Sequence, residues 1–335
     1  MKATHLLTGI LGLFPLLSAC DKSAPQTGPV PPDTAKTELQ VDITRADLET
    51  KSTIPWKEEE IHSVQAFVFN ADGTLDISAQ SASVPLGIKV VPDVGKTVYV
   101  LVNKDFQDHI SREDDLTGGF STLLEDNGDG NFVMSGLRKN LDLRTPVSIL
   151  VPVERAAAKV SVESITNDFK DPALKEKTFI IKGIYLINCP AEDRPFTSGY
   201  IPDPARWLNR MRYERSPSCD IHLYDILSQT LRPGEEYRTV HSFYTYANPT
   251  EEDTQDPAWS ARKTRLVIEA TLGGETCYYP VTLPSVKRNT HYIVRHLSIT
   301  RKGSASPDDP MVTSNATFDL EVIPWEEQSL GDITF

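Results

Sequence analysis

Apolar and polar residues alternate with a period of two along most of the chain. In TELQVDITR (37–45), Leu39, Val41 and Ile43 alternate with Glu38, Gln40, Asp42 and Thr44, which predicts a half-buried strand. The pattern returns in IHSVQAFVFNADGTL (61–75), where Val64, Ala66 and Val68 oppose Phe67 and Phe69 ahead of an Asp72-Gly73 turn. GKTVYVLVN (95–103) is a near-continuous β-branched and aromatic run, and VSILVPVERAAAKVSVESI (147–165) holds two strands joined around Glu154-Arg155. KTFIIKGIYLINC (177–189), TRLVIEATLGGETCYYPVTL (264–283) and HYIVRHLSIT (291–300) add further strands, the second folded at Gly273-Gly274. Helix signals are confined to FSTLLEDN (120–127) and DPARWLNRMRYE (203–214), the latter with Asp203 as N-cap and Pro204 in the first turn. Short strands separated by Pro- and Gly-rich turns imply an all-β chain of β-sandwich domains with a few short helices.

Length makes two domains the default, because 335 residues exceed the size at which one core keeps growing. The stretch from Pro152 to Ala158 is the candidate boundary, giving an N-terminal domain over 46–153 and a C-terminal domain over 154–335. At 39% hydrophobic and 24% charged, the chain can bury sizeable cores. Its net charge of -13 argues against a nucleic-acid partner, since phosphate binding needs concentrated Lys and Arg.

The first twenty residues read as an export address. MKATHLLTGILGLFPLLSAC has a basic start, an apolar run too short for a stable membrane span, and small residues ahead of Cys20. Leu17-Ser18-Ala19-Cys20 resembles a bacterial lipobox, in which the cysteine is lipidated and becomes the new N-terminus. Residues 21–36, rich in Pro, Ser and Thr, form a tether, so that 21–45 comprises tether plus first strand. With Cys20 lipidated, Cys189, Cys219 and Cys277 remain, an odd number that allows one disulfide; Cys189 with Cys219 is the pairing to test first.

Chemical motifs are sparse. EDNGDGN (125–131) has suitable oxygen ligands for calcium but not the spacing of an EF-hand loop, and a turn is the simpler reading. His291 and His296, five apart in one strand, fall on opposite faces and cannot share a metal there. No nucleophile elbow, HExxH or P-loop occurs, so neither an enzyme activity nor a cofactor or metal is expected. HSFYTYANP (241–249) offers aromatic rings to a sugar, but such alternation more commonly builds core. Glu58-Glu59-Glu60 is most simply a solvated approach to a strand.

Three stretches together resemble the fimbrillins of Bacteroidetes, the type V pilins. They are the lipobox, tether and strand ending at TRA, followed by an acidic linker and IHSVQAFVFNADG; VERAAAKVSVESI (153–165); and VKRNTHYIVRHLSITRKGSASPDDP with NATFDLEVIPWEE near the C-terminus. Residues 190–260 match only loosely.

The resemblance implies transthyretin-like, Greek-key sandwich domains and an assembly mechanism. The precursor would reach the outer membrane as a lipoprotein, and a trypsin-like surface protease would cut between Arg45 and Ala46, with Lys51 a second candidate site. Removing the strand that carries Leu39, Val41 and Ile43 would open a groove in the N-terminal domain. A C-terminal strand from another pilin subunit would fill it, by strand addition between chains. The donor would run from about Asp319 to Phe335, with Leu320, Val322, Trp325, Leu330, Ile333 and Phe335 as anchors and Pro324 as an interruption. Implied partners are further copies in a homopolymer, anchor and tip subunits, and a host ligand in adhesion by the extracellular fimbrium. The alternatives are an unprocessed anchor, a tip adhesin, or a surface lipoprotein that binds glycan or host protein.

Overall fold

The computed structural model describes residues 36–45, 58, 60–106, 109–128, 130–214, 223–251, 253, 259–310 and 316–325. All of them belong to one compact unit that starts at Lys36. Up to Arg155 the chain forms β1 (Thr37–Arg45), β2 (Val64–Phe69), β3 (Leu75–Ser81), β4 (Leu86–Val90), β5 (Lys96–Val102), β6 (Ser121–Thr122), β7 (Met134–Leu141) and β8 (Val147–Arg155). Two short helices, α1 (Glu113–Gly118) and α2 (Leu123–Asp126), lie between β5 and β7. Beyond Ala156 come β9 (Ala157–Val162), β10 (Ile165–Asn167), the helix α3 (Pro172–Lys175), β11 (Phe179–Ile187), β12 (Cys189–Pro190), β13 (Glu192–Asp193) and β14 (Trp207–Leu208). The remainder is β15 (Tyr224–Thr230), β16 (Glu236–Tyr237), β17 (His241–Tyr246), β18 (Arg265–Leu272), β19 (Glu275–Thr282), β20 (Thr290–Ile299) and β21 (Ala316–Pro324).

Seven strands make the first sheet, in the order β3-β2-β5-β7-β8-β1-β4. One of its faces buries Leu39, Val41, Val64, Ala66, Val68, Ile88, Val98, Val100 and Val151 in a single cluster. Only strands of this sheet and their connections contribute to that cluster, so the sheet curls over and covers itself. This is the sandwich solution for burying an apolar face of a sheet. The opposite face carries Phe67, Phe69, Tyr99 and Leu101 into a second, larger core. That explains the unbroken apolar run of β5, which is buried on both sides.

The second half stacks two sheets. One is β16-β10-β20-β9-β17 with β21 added to the free side of β20; the other is β15-β11-β18-β19. Val160, Phe243, Val294 and Leu297 from the first meet Ile181, Ile184, Leu266, Ile268 and Tyr279 from the second in the same larger core. The switch of sheets falls at Ala156, between β8 and β9, and the core runs across it. The small ladder of β6 with β13 also joins the two halves.

The expected turns form: Gly73 (φ 78°) closes β2–β3 and Gly273-Gly274 (φ 60° and 89°) close β18–β19, conformations that glycine adopts without a Cβ penalty. The helix expected over 203–214 does not. Pro204–Arg206 make one 3-10 turn, and Trp207 and Leu208 then pair in extended form with Pro190 and Cys189. The Asp203 side chain makes no capping bond. Over 120–127 only Leu123–Asp126 are helical.

Candidate functional site: the first strand, its slot and the C-terminal edge

β1 is the first strand among the described residues and sits inside the sheet. It pairs in parallel with β8 from Leu39↔Val147 to Arg45↔Val153, and antiparallel with β4 from Thr37↔Val90 to Val41↔Leu86. Leu39 and Val41 are fully buried and Ile43 is partly buried against the same cluster. The period of two fixes this register, since a slip of one residue would turn Glu38, Gln40 and Asp42 into the core. Taking β1 away would leave β8 and β4 each with an open edge and the cluster without three apolar side chains. Burial of each such side chain contributes about 1.5 to 3 kcal/mol, so these side chains hold β1 in its slot by several kcal/mol. Arg45 is the last ladder residue of β1. Ala46 and Lys51 lie outside the described residues, as does Cys20.

β21 is an edge strand, paired only with β20, from Thr290↔Pro324 to Ile299↔Ala316. Phe318 and Leu320 pack on the larger core, while Val322 is 49% exposed. Arg295 of β20 holds β21 through an ion pair with Glu321 and is itself paired with Glu163 at 3.0 Å. Immediately after β21, Trp325 is buried. Of the candidate donor anchors, Leu320 and Trp325 are thus packed in their own chain, and Leu330, Ile333 and Phe335 lie outside the described residues.

Glu58 is the residue that pattern reading missed. Far from being solvated, it is 6% exposed at the junction of the two halves. Its carboxylate accepts from Lys159 Nζ at 2.7 Å, Tyr244 Oη at 2.7 Å and Trp325 Nε1 at 2.8 Å. Its carbonyl accepts from the fully buried Arg155, whose guanidinium lies 5.0 Å from the Trp325 ring centre. Burial by itself would raise the Glu58 carboxyl; the Lys159 charge and the bonds from Lys159, Trp325 and Tyr244 bring it below the usual carboxylate value. No periodicity marks this role, because Glu58 belongs to no strand and its partners come from four distant segments. The alanine-containing stretch at 153–165 supplies two of those partners, Arg155 and Lys159.

Other candidate chemistry is spent on structure. Asp126, in the segment considered for calcium, accepts from Lys104 Nζ at 2.8 Å and from the Thr122 backbone at 2.6 Å. Among the described residues no group of three or more His, Cys, Asp or Glu side chains is arranged to hold a metal ion. Ser161 Oγ lies 2.8 Å from His291 Nε2, but Ser161 is buried at 2%, which closes the pair to a substrate. Phe243 and Tyr246 of the aromatic stretch are buried in the core. Cys189 Sγ lies 3.7 Å from the Ile187 carbonyl, Cys277 is a buried free thiol, and Cys219 lies outside the described residues.

No family model and no curated protein matches the sequence. Solved structures do match. A fimbrilin from Porphyromonas gingivalis superimposes with a TM-score of 0.63 at 15% identity, over 87% of this chain and 99% of that one. A protein ascribed to cell adhesion from Bacteroides eggerthii gives 0.62 at 18% identity, over 87% and 96%. The tip fimbrial protein Mfa3 of Porphyromonas gingivalis gives 0.50 at 14% identity, over 85% and 99%. At these identities the likeness is one of architecture: the chain is built on the fimbrilin fold.

Proposed function

We propose that this chain is a structural, non-enzymatic subunit of a cell-surface fimbria that serves adhesion. It is exported as a lipoprotein through Cys20, cut between Arg45 and Ala46, and polymerised with other pilin subunits by exchange of its first strand for the C-terminal strand of a neighbour. The observation that carries this reading is the position of β1: an N-terminal strand lodged between β8 and β4, with an arginine as its last ladder residue. One cut frees such a strand from the rest of the chain, and its departure undoes its ladder to β8 and the ladder by which β4 joins the sheet. The slot it leaves has two unpaired edges, which a donor strand satisfies. The fimbrilin fold supports the same reading by analogy. The donor begins in β21, so that Leu320 and Trp325 leave their own core when it is given.

N-terminal sequencing of subunits taken from the cell surface tests this. The expected first residue of assembled subunits is Ala46, and chains lacking residues 326–335 are expected to stay monomeric. Assembled subunits that still begin at lipidated Cys20 would refute shaft assembly and identify an anchor. Sugar binding by a monomer that survives Arg45→Ala, with no polymer formed, would identify a ligand-binding lipoprotein.

A further inference from the structure

The contacts of Glu58 tie two parts of the chain that lie far apart in sequence. On one side is the stretch between β1 and β2, to which Glu58 belongs. On the other is Trp325, the residue immediately after β21. The indole N–H donates to Glu58 Oε2 at 2.8 Å, and the Trp325 backbone N–H donates to the Asn289 carbonyl at 3.0 Å. The indole stacks on Tyr244, with centroids 5.6 Å apart and planes at 19°, and meets Phe132 edge-on at 5.2 Å. Tyr244 and Lys159 bond the other carboxylate oxygen of Glu58, and Arg155 bonds its carbonyl. A buried carboxylate that loses one donor, or an indole that loses its acceptor, bears the cost of an unmet polar group. Each partner therefore stabilises the seat of the other, and the coupling is reciprocal.

We propose that Glu58 and Trp325 form a latch that keeps β21 seated on β20 and couples that seating to the stretch of chain behind β1. Among the described residues β21 has one ladder, and the latch at its end adds to that ladder, to the packing of Phe318 and Leu320 and to the Arg295–Glu321 pair in keeping the strand from peeling away. Loss of the Glu58 carboxylate therefore loosens Trp325, and loss of the Trp325 indole donor loosens Glu58. Its use in assembly rests on the pilin reading above, because the latched strand is the proposed donor; the latch itself does not depend on that reading.

Amide hydrogen exchange of the full-length chain, alone and after proteolysis at Arg45, tests the latch in Trp325→Phe, Glu58→Gln and the double variant. Trp325→Phe keeps the ring and removes only the donor, while Glu58→Gln keeps the shape and removes the charge. A hydrogen bond to a charged group corresponds to roughly ten- to hundredfold in an opening equilibrium. Exchange in β21 should accelerate by that factor in each single variant, with β18 as an unchanged internal control. The double variant should exchange more slowly than the product of the two single effects, since the two changes share the Glu58–Trp325 bond. Wild-type exchange rates in β21 of Trp325→Phe would overturn the latch, and so would equal acceleration of β18 and β21 in both single variants. Faster exchange of β21 in variants and wild type that all fail to polymerise after cutting would leave the latch standing and refute the pilin reading.

Discussion

The slot makes a quantitative prediction about how long a severed β1 stays in place. Once the chain is cut after Arg45, the ladders to β8 and β4 and the burial of Leu39, Val41 and Ile43 hold the strand in place. Leu39 has no exposed surface, and Leu→Ala at such sites costs about 2 to 5 kcal/mol. The loss of that energy in the seated strand raises its escape constant by roughly thirty- to several-thousandfold. Glu38, its exposed neighbour on the same strand, supplies the control: Glu38→Ala should change retention little. The assay cuts purified full-length protein with a trypsin-like protease, separates bound from released fragment by size-exclusion chromatography, and measures the fragment ending at Arg45 by mass spectrometry over time. Leu39→Ala should release it far sooner than wild type, and Glu38→Ala at the wild-type rate. Equal release from Leu39→Ala and wild type would refute the claim that side-chain burial holds the strand. A further outcome, collapse of the whole N-terminal sheet on release, would refute the claim that the strand is separable.

Three other outcomes follow from Lys96, Gly136 and His291. Lys96 is fully buried, bonded to Asp76 at 2.7 Å and to the Asn70 amide oxygen at 2.8 Å, so Asp76→Ala should cost about 3 to 5 kcal/mol in urea unfolding by leaving a buried ammonium without its counter-charge. Replacing both residues with apolar ones should cost much less. A Cβ at Gly136 would sit 1.9 Å from the Pro152 carbonyl oxygen, so Gly136→Ala should push β7 and β8 apart and lower the thermal midpoint, at a cost of about 1 to 3 kcal/mol or more. Burial, together with the charges of Lys159 and Arg295 and against that of Glu58, brings the His291 imidazole down from 6.5 to about 3. The unfolded chain then binds the extra proton between those values, so stability should fall as pH drops from about 6.5 towards 3. His291→Gln should flatten that part of the pH–stability curve; an unchanged slope would refute the assignment.

The strands were legible because their signal is local. Leu39, Val41 and Ile43 declare a one-sided strand by themselves, and the β5 run declares a strand buried on both faces. Gly273-Gly274 and Asp72-Gly73 fixed their hairpins for the same reason. What escaped notice depends on partners distant in sequence. Trp207 and Leu208 lie in a stretch that scores as a helix, but a ladder to Cys189 and Pro190 pulls them into extended form. Glu58 reads as one more exposed acid in an acidic run until Lys159, Tyr244 and Trp325 are brought to it by three separate strands. Trp325 likewise reads as an anchor for another subunit, and the fold first gives it a home within its own chain.

The two ladders of β1 also set a direction. β8 accepts it in parallel and β4 antiparallel, so a strand that replaces it and keeps both ladders must run the same way along the slot. A contact of this kind joins unlike surfaces, the slot of one molecule and the strand of the next, and cannot be its own mirror across a twofold axis. Molecules joined through it all face one way. A filament built so has distinguishable ends, one presenting a vacant slot and the other an unspent strand, and can lengthen only where the two chemistries meet.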